Sequence, residues 1–447
     1  MIVTNGKIIS WIEGSEISND QAILIQEGKI VKISSQQQLL LENPQEELLD
    51  AHGQYVMSGN ICAHTHFYGV FSRGMAIQGS APKDFPEILG KLWWPLDRAL
   101  QPEDIEYSAL ACIADAIKHG TTTVFDHHAS FGAIDGSLDS ILSAVSKSGI
   151  RASLCYEASD RDGELKAMES LRENSRFINA VYSQSHQNHL VSAMFGLHAS
   201  LSLSTRTLEL AREMNPDGVG FHIHVAEHSV DEYDSLQKYG MRVVDRLAKH
   251  EILGNKTIIA HGVHIDAREI EILAQTGTWV AHQPRSNMNN AVGMSDVASM
   301  LRMGCKVVLG NDGFSNAMWD EWRTTYLAHK LWHLDPRWMD GGMLKSIAID
   351  QNAALASQQF GVDIGYIRPG AQADLIFVDY APITPIHMGN IPWHILFGFR
   401  DSMVTMTMVA GKILMLDRKL LTLNESDINQ RTQELVPAVW ERYNAQF

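Results

Sequence analysis

Cysteine is scarce in this chain: four among 447 residues, at positions 62, 112, 155 and 305, with no Cys-x-x-Cys pair. That scarcity argues against a disulfide framework and suits a reduced, cytoplasmic protein. Long apolar runs are missing too. No stretch of about 18 apolar residues is present, so no segment is expected to span a membrane. The start, Met1-Ile2-Val3-Thr4-Asn5-Gly6-Lys7, lacks the basic segment leading into an apolar one that marks a signal peptide. Positive charge is under-represented: 36 Lys and Arg against 52 Asp and Glu give a formal net charge of −16. Neither nucleic acid nor an anionic membrane surface is therefore expected as the main partner. The rest of the composition, 45% hydrophobic and 20% charged, is that of a soluble globular protein.

What is plentiful is histidine, with 20 copies, many of them at the ends of stretches that read as strands. A chain of this length exceeds what one compact core usually organises, so a large domain with a smaller companion is expected. Residues 1–57 read as short strands and turns: Lys7–Trp11, Gln21–Ile25 and Lys29–Ile33, with Glu27-Gly28 as a hairpin turn. These strands are too few for a core of their own. Matching strands return near the other end, at Ala373–Val378, Met403–Val409 and Ile413–Leu416, with a turn at Ala410-Gly411-Lys412. Residues 1–57 and 366–421 are therefore expected to close into one small β-sandwich domain, since each half alone would leave open edges. Residues 422–447, containing a helix over Glu425–Tyr443, would dock outside.

Between these ends, over 58–365, runs a rhythm. Apolar strand-like segments occur at Asn60–His66, Thr121–His127, Arg151–Glu157, Ala193–Ala199, Gly220–Val225, Lys256–His261, Thr278–His282 and Lys306–Asp312. Stretches of helical periodicity, such as Glu103–His119 and Met241–His250, separate them. Eightfold strand–helix alternation predicts an α/β fold of the (β/α)8 TIM barrel type. The runner-up, a doubly wound open sheet, would want a glycine-rich phosphate loop after its first strand. Histidines stand there instead.

In such a barrel the C-terminal strand ends face the active site. The first strand offers His64 and His66, which leave one face together because strand residues alternate. The fifth offers His222 and His224, between which the pattern does not choose. The sixth offers His261 and the eighth Asp312. Taken singly each has a plainer explanation: Asp312 as a helix cap, His261 as a packed histidine. Convergence at one predicted mouth favours a divalent metal site of imidazoles and a carboxylate, with zinc first and iron(II) second. Such a site activates water for hydrolysis. Glu227, three residues beyond His224, is placed to carry a proton to substrate nitrogen, and His261 and Asp312 to orient or deprotonate the water.

These motifs resemble the amidohydrolase superfamily, in its cytosine-deaminase-like branch with the triazine hydrolases and S-adenosylhomocysteine deaminases. The matching stretches are Gly-Asn-Ile-Cys-Ala-His-Thr-His (59–66), Gly-Thr-Thr-Thr-Val (120–124), Gly-Leu-His-Ala-Ser (196–200), His-Val-Ala-Glu (224–227), Ala-His-Gly-Val-His-Ile-Asp (260–266), Pro-Arg-Ser-Asn-Met (284–288) and Leu-Gly-Asn-Asp-Gly (309–313). Asp126-His127-His128 and Trp93-Trp94-Pro95-Leu96-Asp97 are similar to the SsnA-type aminohydrolases. The resemblance implies His64, His66, His224 and Asp312 as metal ligands, Glu227 as proton shuttle, His261 as assistant at the water, and His198 near the substrate. Binuclear relatives place a bridging lysine on the fourth strand, and 191–204 contains none, which implies one metal. Gln283-Pro284 departs from the Asn-Pro common in relatives.

Arg73, Trp94, His127, His128, Arg161, Arg285 and Asn287 are further side chains expected near the substrate. Together they suit a flat, nitrogen-rich small molecule: a purine-, pterin- or pyrimidine-like ring bearing an exocyclic amine. Hydrolytic deamination is the expected reaction. Ring opening of a cyclic amide or imide is the alternative, and a non-catalytic binding protein a distant third, since binding alone needs no proton shuttle. A homo-oligomer is expected from the resemblance alone.

Overall fold

A computed structural model describes residues 1–183 and 189–447. Two all-parallel sheets lie at its centre. One has the strand order Val191–Ala193, Arg151–Tyr156, Thr121–His128, Asn60–Thr65; the other runs Phe195–Ala199, Phe221–Val225, Ile258–His261, Trp279–His282, Lys306–Leu309. Both faces of these strands are covered, and almost every residue in them is buried, polar ones included.

The two sheets meet at both margins. Parallel bridges join Thr65 to Asp312 and Ala158 to Leu197. At the first junction Asn311 N and Asp312 N both donate to His64 O at 3.0 Å. Gly310 is needed there: a Cβ at that position would stand 2.8 Å from the backbone N and O of His64. A side chain would push the strand carrying Asp312 away from the strand carrying His64. Below, Asn352 clamps the same junction by donating to Ile61 O at 2.7 Å and Leu309 O at 3.1 Å.

Helices cover the outside. Pro102–Lys118 lies in the chain between the Asn60–Thr65 and Thr121–His128 strands, with Asp104 accepting from the Gln101 backbone at its start. The expected helix at Met241–His250 is shorter, Val243–Lys249. The fourth expected strand, Ala193–Ala199, is divided: Val191–Ala193 pairs with Arg151–Tyr156, and Phe195–Ala199 begins the other sheet.

Both chain ends share a six-stranded mixed sheet. Tyr55–Ser58 pairs antiparallel with Leu375–Val378, flanked by Lys7–Ile9 on one side and Val404–Val409 and Lys412–Leu416 on the other. A four-stranded sheet of Ile2–Thr4, Gln21–Gln26, Lys29–Ser35 and Leu48–Asp50 accompanies it. Val3, Ile23, Ile25 and Ile30 from the N-terminal part bury against Phe377, Met406 and Met408 from the C-terminal part. The two hairpin turns touch: Glu27-Gly28 (φ 49° and 77°) and Ala410-Gly411 (φ 46° and 75°) are left-handed turns. A Cβ on Gly28 would lie 2.8 Å from Ala410 O.

The Glu425–Asn444 helix docks against this assembly. Trp440 Nε1 donates to Phe71 O at 2.9 Å, Arg442 Nε to Ala99 O at 2.5 Å, and the Tyr443 hydroxyl to Lys91 O. It thereby holds the 67–99 segment that follows the first parallel strand. Among the described residues no helix is long and apolar enough to cross a membrane.

Candidate metal centre

At the C-terminal edge of the parallel strands the imidazoles stand in two tiers. His64 and His222 form the deeper one, 0% and 1% exposed, with His64 Nδ1 2.9 Å from His222 Nε2. His66 and His224, 9% and 8% exposed, form the upper one, with their Nε2 atoms 3.2 Å apart. The tiers follow from the strand period: each of the two strands sends its residue i to the deeper tier and its residue i+2 to the upper one.

The upper tier faces Asp312. His66 Nε2 lies 2.9 Å from Asp312 Oδ1, and His64 Nε2 reaches up to 3.8 Å from the same oxygen. His261 Nε2 stands 3.9 Å from Asp312 Oδ2 and 3.5 Å from Glu227 Oε2. Three overlapping groups, His64/His66/Asp312, His64/His224/His261 and Glu227/His261/Asp312, each bring their ligand atoms within 4.8 Å of one another.

The backbone is strained where it presents this chemistry. Ala226, His261 and Asp312 adopt φ of 46°, 73° and 59°, left-handed values that cost a non-glycine residue on the order of 1 kcal/mol or more. Polar anchors hold each in place. His261 N donates to Gln283 Oε1 at 3.2 Å and its carbonyl accepts from Ser295 at 2.7 Å. Ala226 N donates to Asp231 Oδ2 at 3.0 Å, and the Ser286 hydroxyl donates to Asp312 Oδ2.

Whether these groups fit a cation can be tested on their own hydrogen bonding. His64 Nε2 and His261 Nε2 are buried and have no hydrogen-bond partner, an expensive arrangement unless something else meets them. Burial, then the neighbouring imidazoles, hold His64 well below its usual pKa, and burial with His127 does the same for His224. Both are therefore neutral and free to ligate. For His66 burial alone would lower the pKa, yet Asp312 lifts it to about 9 and is itself held far below the usual carboxylate range. A positive charge is thus favoured between His66 and Asp312. The donor set of imidazole nitrogens and one carboxylate suits zinc or iron(II). The residues fit a divalent transition metal.

The other ring nitrogens are committed elsewhere, which fixes the orientations. His66 Nδ1 donates to His127 O at 2.5 Å, His224 Nδ1 to His198 O at 2.9 Å, and His261 Nδ1 to Asn287 Oδ1 at 2.9 Å. Glu227 accepts from Asn290 Nδ2 at 3.2 Å. Burial pushes its carboxyl up to about 7, opposed by His261 and reinforced by Asp312.

The centre opens into a cavity of about 380 Å³. Its wall holds His66, His224, Glu227, His261 and Asp312, with Arg73, Trp94 and His198 among the expected substrate-facing residues. The others turn away from it. Arg161 is buried between the rings of Phe131 and Trp94 and pairs with Asp97 at 2.5 Å. Arg285 pairs with Glu321 and donates to Ser315 O. Asn287 stands behind His261, His128 Nε2 meets Ser130 Oγ at 2.9 Å, and His127 is fully buried beside the centre.

The sequence reading passed over several wall residues: Tyr68, Phe85, Leu89, Trp93, Asn290 and Glu157. Glu157 had an available signal, since it ends the third apolar run just as His261 ends the sixth. It lies 3.3 Å from His127 Nδ1 and 3.7 Å from His198 Nε2.

Comparison with known proteins follows the same lines. The model of the amidohydrolase family matches residues 55–414. A 5'-deoxyadenosine deaminase of Methanosarcina barkeri is 29% identical over 452 residues, covering 100% of this chain and 99% of the relative. A 5-methylthioadenosine/S-adenosylhomocysteine deaminase of Acetivibrio thermocellus is 30% identical, covering 98% and 99%. Among solved structures, a zinc-bound adenosine deaminase from Xanthomonas campestris superimposes with a TM-score of 0.84 at 22% identity, covering 98% of both chains.

Proposed function

This chain belongs to the amidohydrolase family, and from that premise we propose that it is a metal-dependent aminohydrolase that deaminates an aminated nitrogen heterocycle. The observation that carries the reading is the placement of Glu227 on the cavity wall beside the cation-ready cluster, 3.5 Å from His261. The two parallel sheets are read as one (β/α)8 barrel over 58–365, joined at the Thr65–Asp312 and Ala158–Leu197 bridges. Residues 1–57 and 366–421 are read as its β-sandwich companion, and 422–447 as an external helical segment.

His64, His66, His224 and Asp312 would hold one divalent metal, zinc in the first instance, with His222 supporting His64 from beneath. When bound, that ion supplies Lewis acidity and brings water to a reactive state near neutral pH. Glu227 would take a proton from the attacking water and return it to the substrate's nitrogen as the C–N bond breaks and ammonia leaves, for which a carboxyl near neutrality is well matched. His261 is locked by Asn287 so that its Nε2 faces Glu227 and Asp312, and it steadies charge there. Trp93, Trp94 and Phe85 supply flat apolar surface for a ring. The names of the relatives support a purine-type ring. A cytoplasmic location and a homo-oligomeric state remain part of this proposal.

The test is ammonia release. Zinc-loaded protein should liberate one ammonia per molecule from at least one member of a panel of aminopurines, aminopteridines and aminopyrimidines. Consumption of a ring without ammonia would replace deamination by ring opening.

A further inference from the structure

Glu157 and His198 face the cavity side by side, and their hydrogen bonding leaves both as acceptors. The Ser202 hydroxyl donates to Ala199 O at 3.1 Å, so its oxygen accepts from His198 Nδ1 at 2.5 Å. The proton of a neutral His198 is therefore on Nδ1, and bare Nε2 points at Glu157 Oε1, 3.7 Å away. On the other side, His127 Nε2 lies 3.1 Å from Leu197 O and 3.0 Å from His222 O. Both are acceptors, so Nε2 carries hydrogen and His127 Nδ1 meets Glu157 Oε2 at 3.3 Å without forming a proper hydrogen bond. Among the described residues no lysine or arginine pairs with Glu157. A buried carboxylate beside a bare imidazole nitrogen is poorly satisfied unless a ligand brings donors.

We infer that Glu157 and His198 form a paired-acceptor subsite that selects heterocycles carrying a ring N–H next to the amine-bearing carbon. This rests on the deaminase reading and narrows its substrate class. Rings of the 2-amino-oxo type, lactams whose N–H adjoins the amine-bearing carbon, present that donor; adenine-type rings present a bare nitrogen there. The subsite touches the base and not a distant sugar, because a Glu157 oxygen lies within 4.8 Å of ligand nitrogens of His66 and His224. Glu227 lines the same cavity as Glu157, 3.5 Å from His261. A ring seated between them gives its N–H to Glu157 and its other ring nitrogen to Glu227.

The experiment is equilibrium binding of pterin (2-amino-4-oxopteridine) and 2-aminopteridine to the zinc-loaded protein, followed by fluorescence. The two rings differ at the lactam. Wild type should bind pterin at least tenfold tighter, and Glu157→Gln should bring the two affinities within about threefold with zinc content unchanged. Should that variant fail to fold, Glu157→Asp, which keeps the charge beside His127 while withdrawing the acceptor, should shrink the same ratio. Equal affinities in wild type, no binding of either ring, or a preference that survives substitution would overturn the subsite. So would a second equivalent of zinc in wild type that is lost with Glu157, since the cluster would then hold metal. Ammonia release is scored separately. Preference without release sinks deamination and leaves the subsite; release from adenine-type rings without preference does the reverse.

Discussion

His222 supports His64 from below: its Nε2 sits 2.9 Å from His64 Nδ1 with both rings fully buried. A ligating imidazole gains basicity and a fixed orientation from the partner of its second nitrogen. His222→Ala should therefore weaken metal affinity by about 10- to 100-fold, without the complete loss expected of His224→Ala. Zinc titration against a competing chelator separates the two. Equal losses would put both histidines in direct contact with the metal.

Glu227 gives a pH dependence of definite sign. Its carboxyl, raised by burial from 4.5 to about 7, can accept a proton only when ionised. kcat/KM should fall tenfold per pH unit on the acid side, with the midpoint at or below about 7, because a nearby cation favours the ionised form. Glu227→Gln should keep its zinc, lose about 100- to 10,000-fold in turnover and lose that acid limb. Stability follows the linkage. A raised folded pKa contributes stability that is full below about 4.5 and is lost as pH rises through about 7. Zinc-free Glu227→Gln should therefore gain on zinc-free wild type between pH 5 and 8, by on the order of 3 kcal/mol. An unchanged difference would show that the carboxyl is not perturbed.

Arg161 and Asp97 form an ion pair of 4% and 1% exposed side chains, 2.5 Å apart, and Arg161 lies 4.0 Å over the Phe131 ring. Arg161→Met would strand the Asp97 carboxylate and should cost about 3–5 kcal/mol in unfolding measurements. Adding Asp97→Leu should recover much of the loss. A stable Arg161→Met enzyme with a raised KM would instead make Arg161 a substrate contact, the role its sequence position suggested.

The contrast between Arg161 and Glu157 explains what was legible. Strand periodicity exposed the parallel core and the tiered histidines, because an apolar run ending in a polar residue is a local signal. The division of the fourth strand at Met194 was not legible, since both halves are equally apolar and only pairing partners separate them. Loop residues were harder still. Asp97 and Arg161 are 64 positions apart, and nothing local shows that the arginine is occupied. Glu157 obeys the strand-end rule, but the charged run at 160–162 that follows it is the stronger local polar signal; Asp162 is engaged by Arg98 at 2.9–3.0 Å.

Asp312 is a metal-ligand candidate whose geometry separates that role from a helix cap. It stands at left-handed φ, receives the Ser286 hydroxyl and faces His66 at 2.9 Å. A helix cap would show its carboxylate on backbone N–H groups; this one is aimed at imidazoles. Asp312→Ala should therefore reduce zinc from close to one per chain to a small fraction and abolish turnover. It should also lower the His66 pKa, because burial would then act on that imidazole unopposed by its carboxylate. The check is elemental analysis beside NMR titration of the His66 ring in zinc-free protein. Normal zinc content with normal activity would reduce Asp312 to a structural residue. Two zinc ions per wild-type chain would overturn the single-metal centre while leaving Asp312 as a ligand.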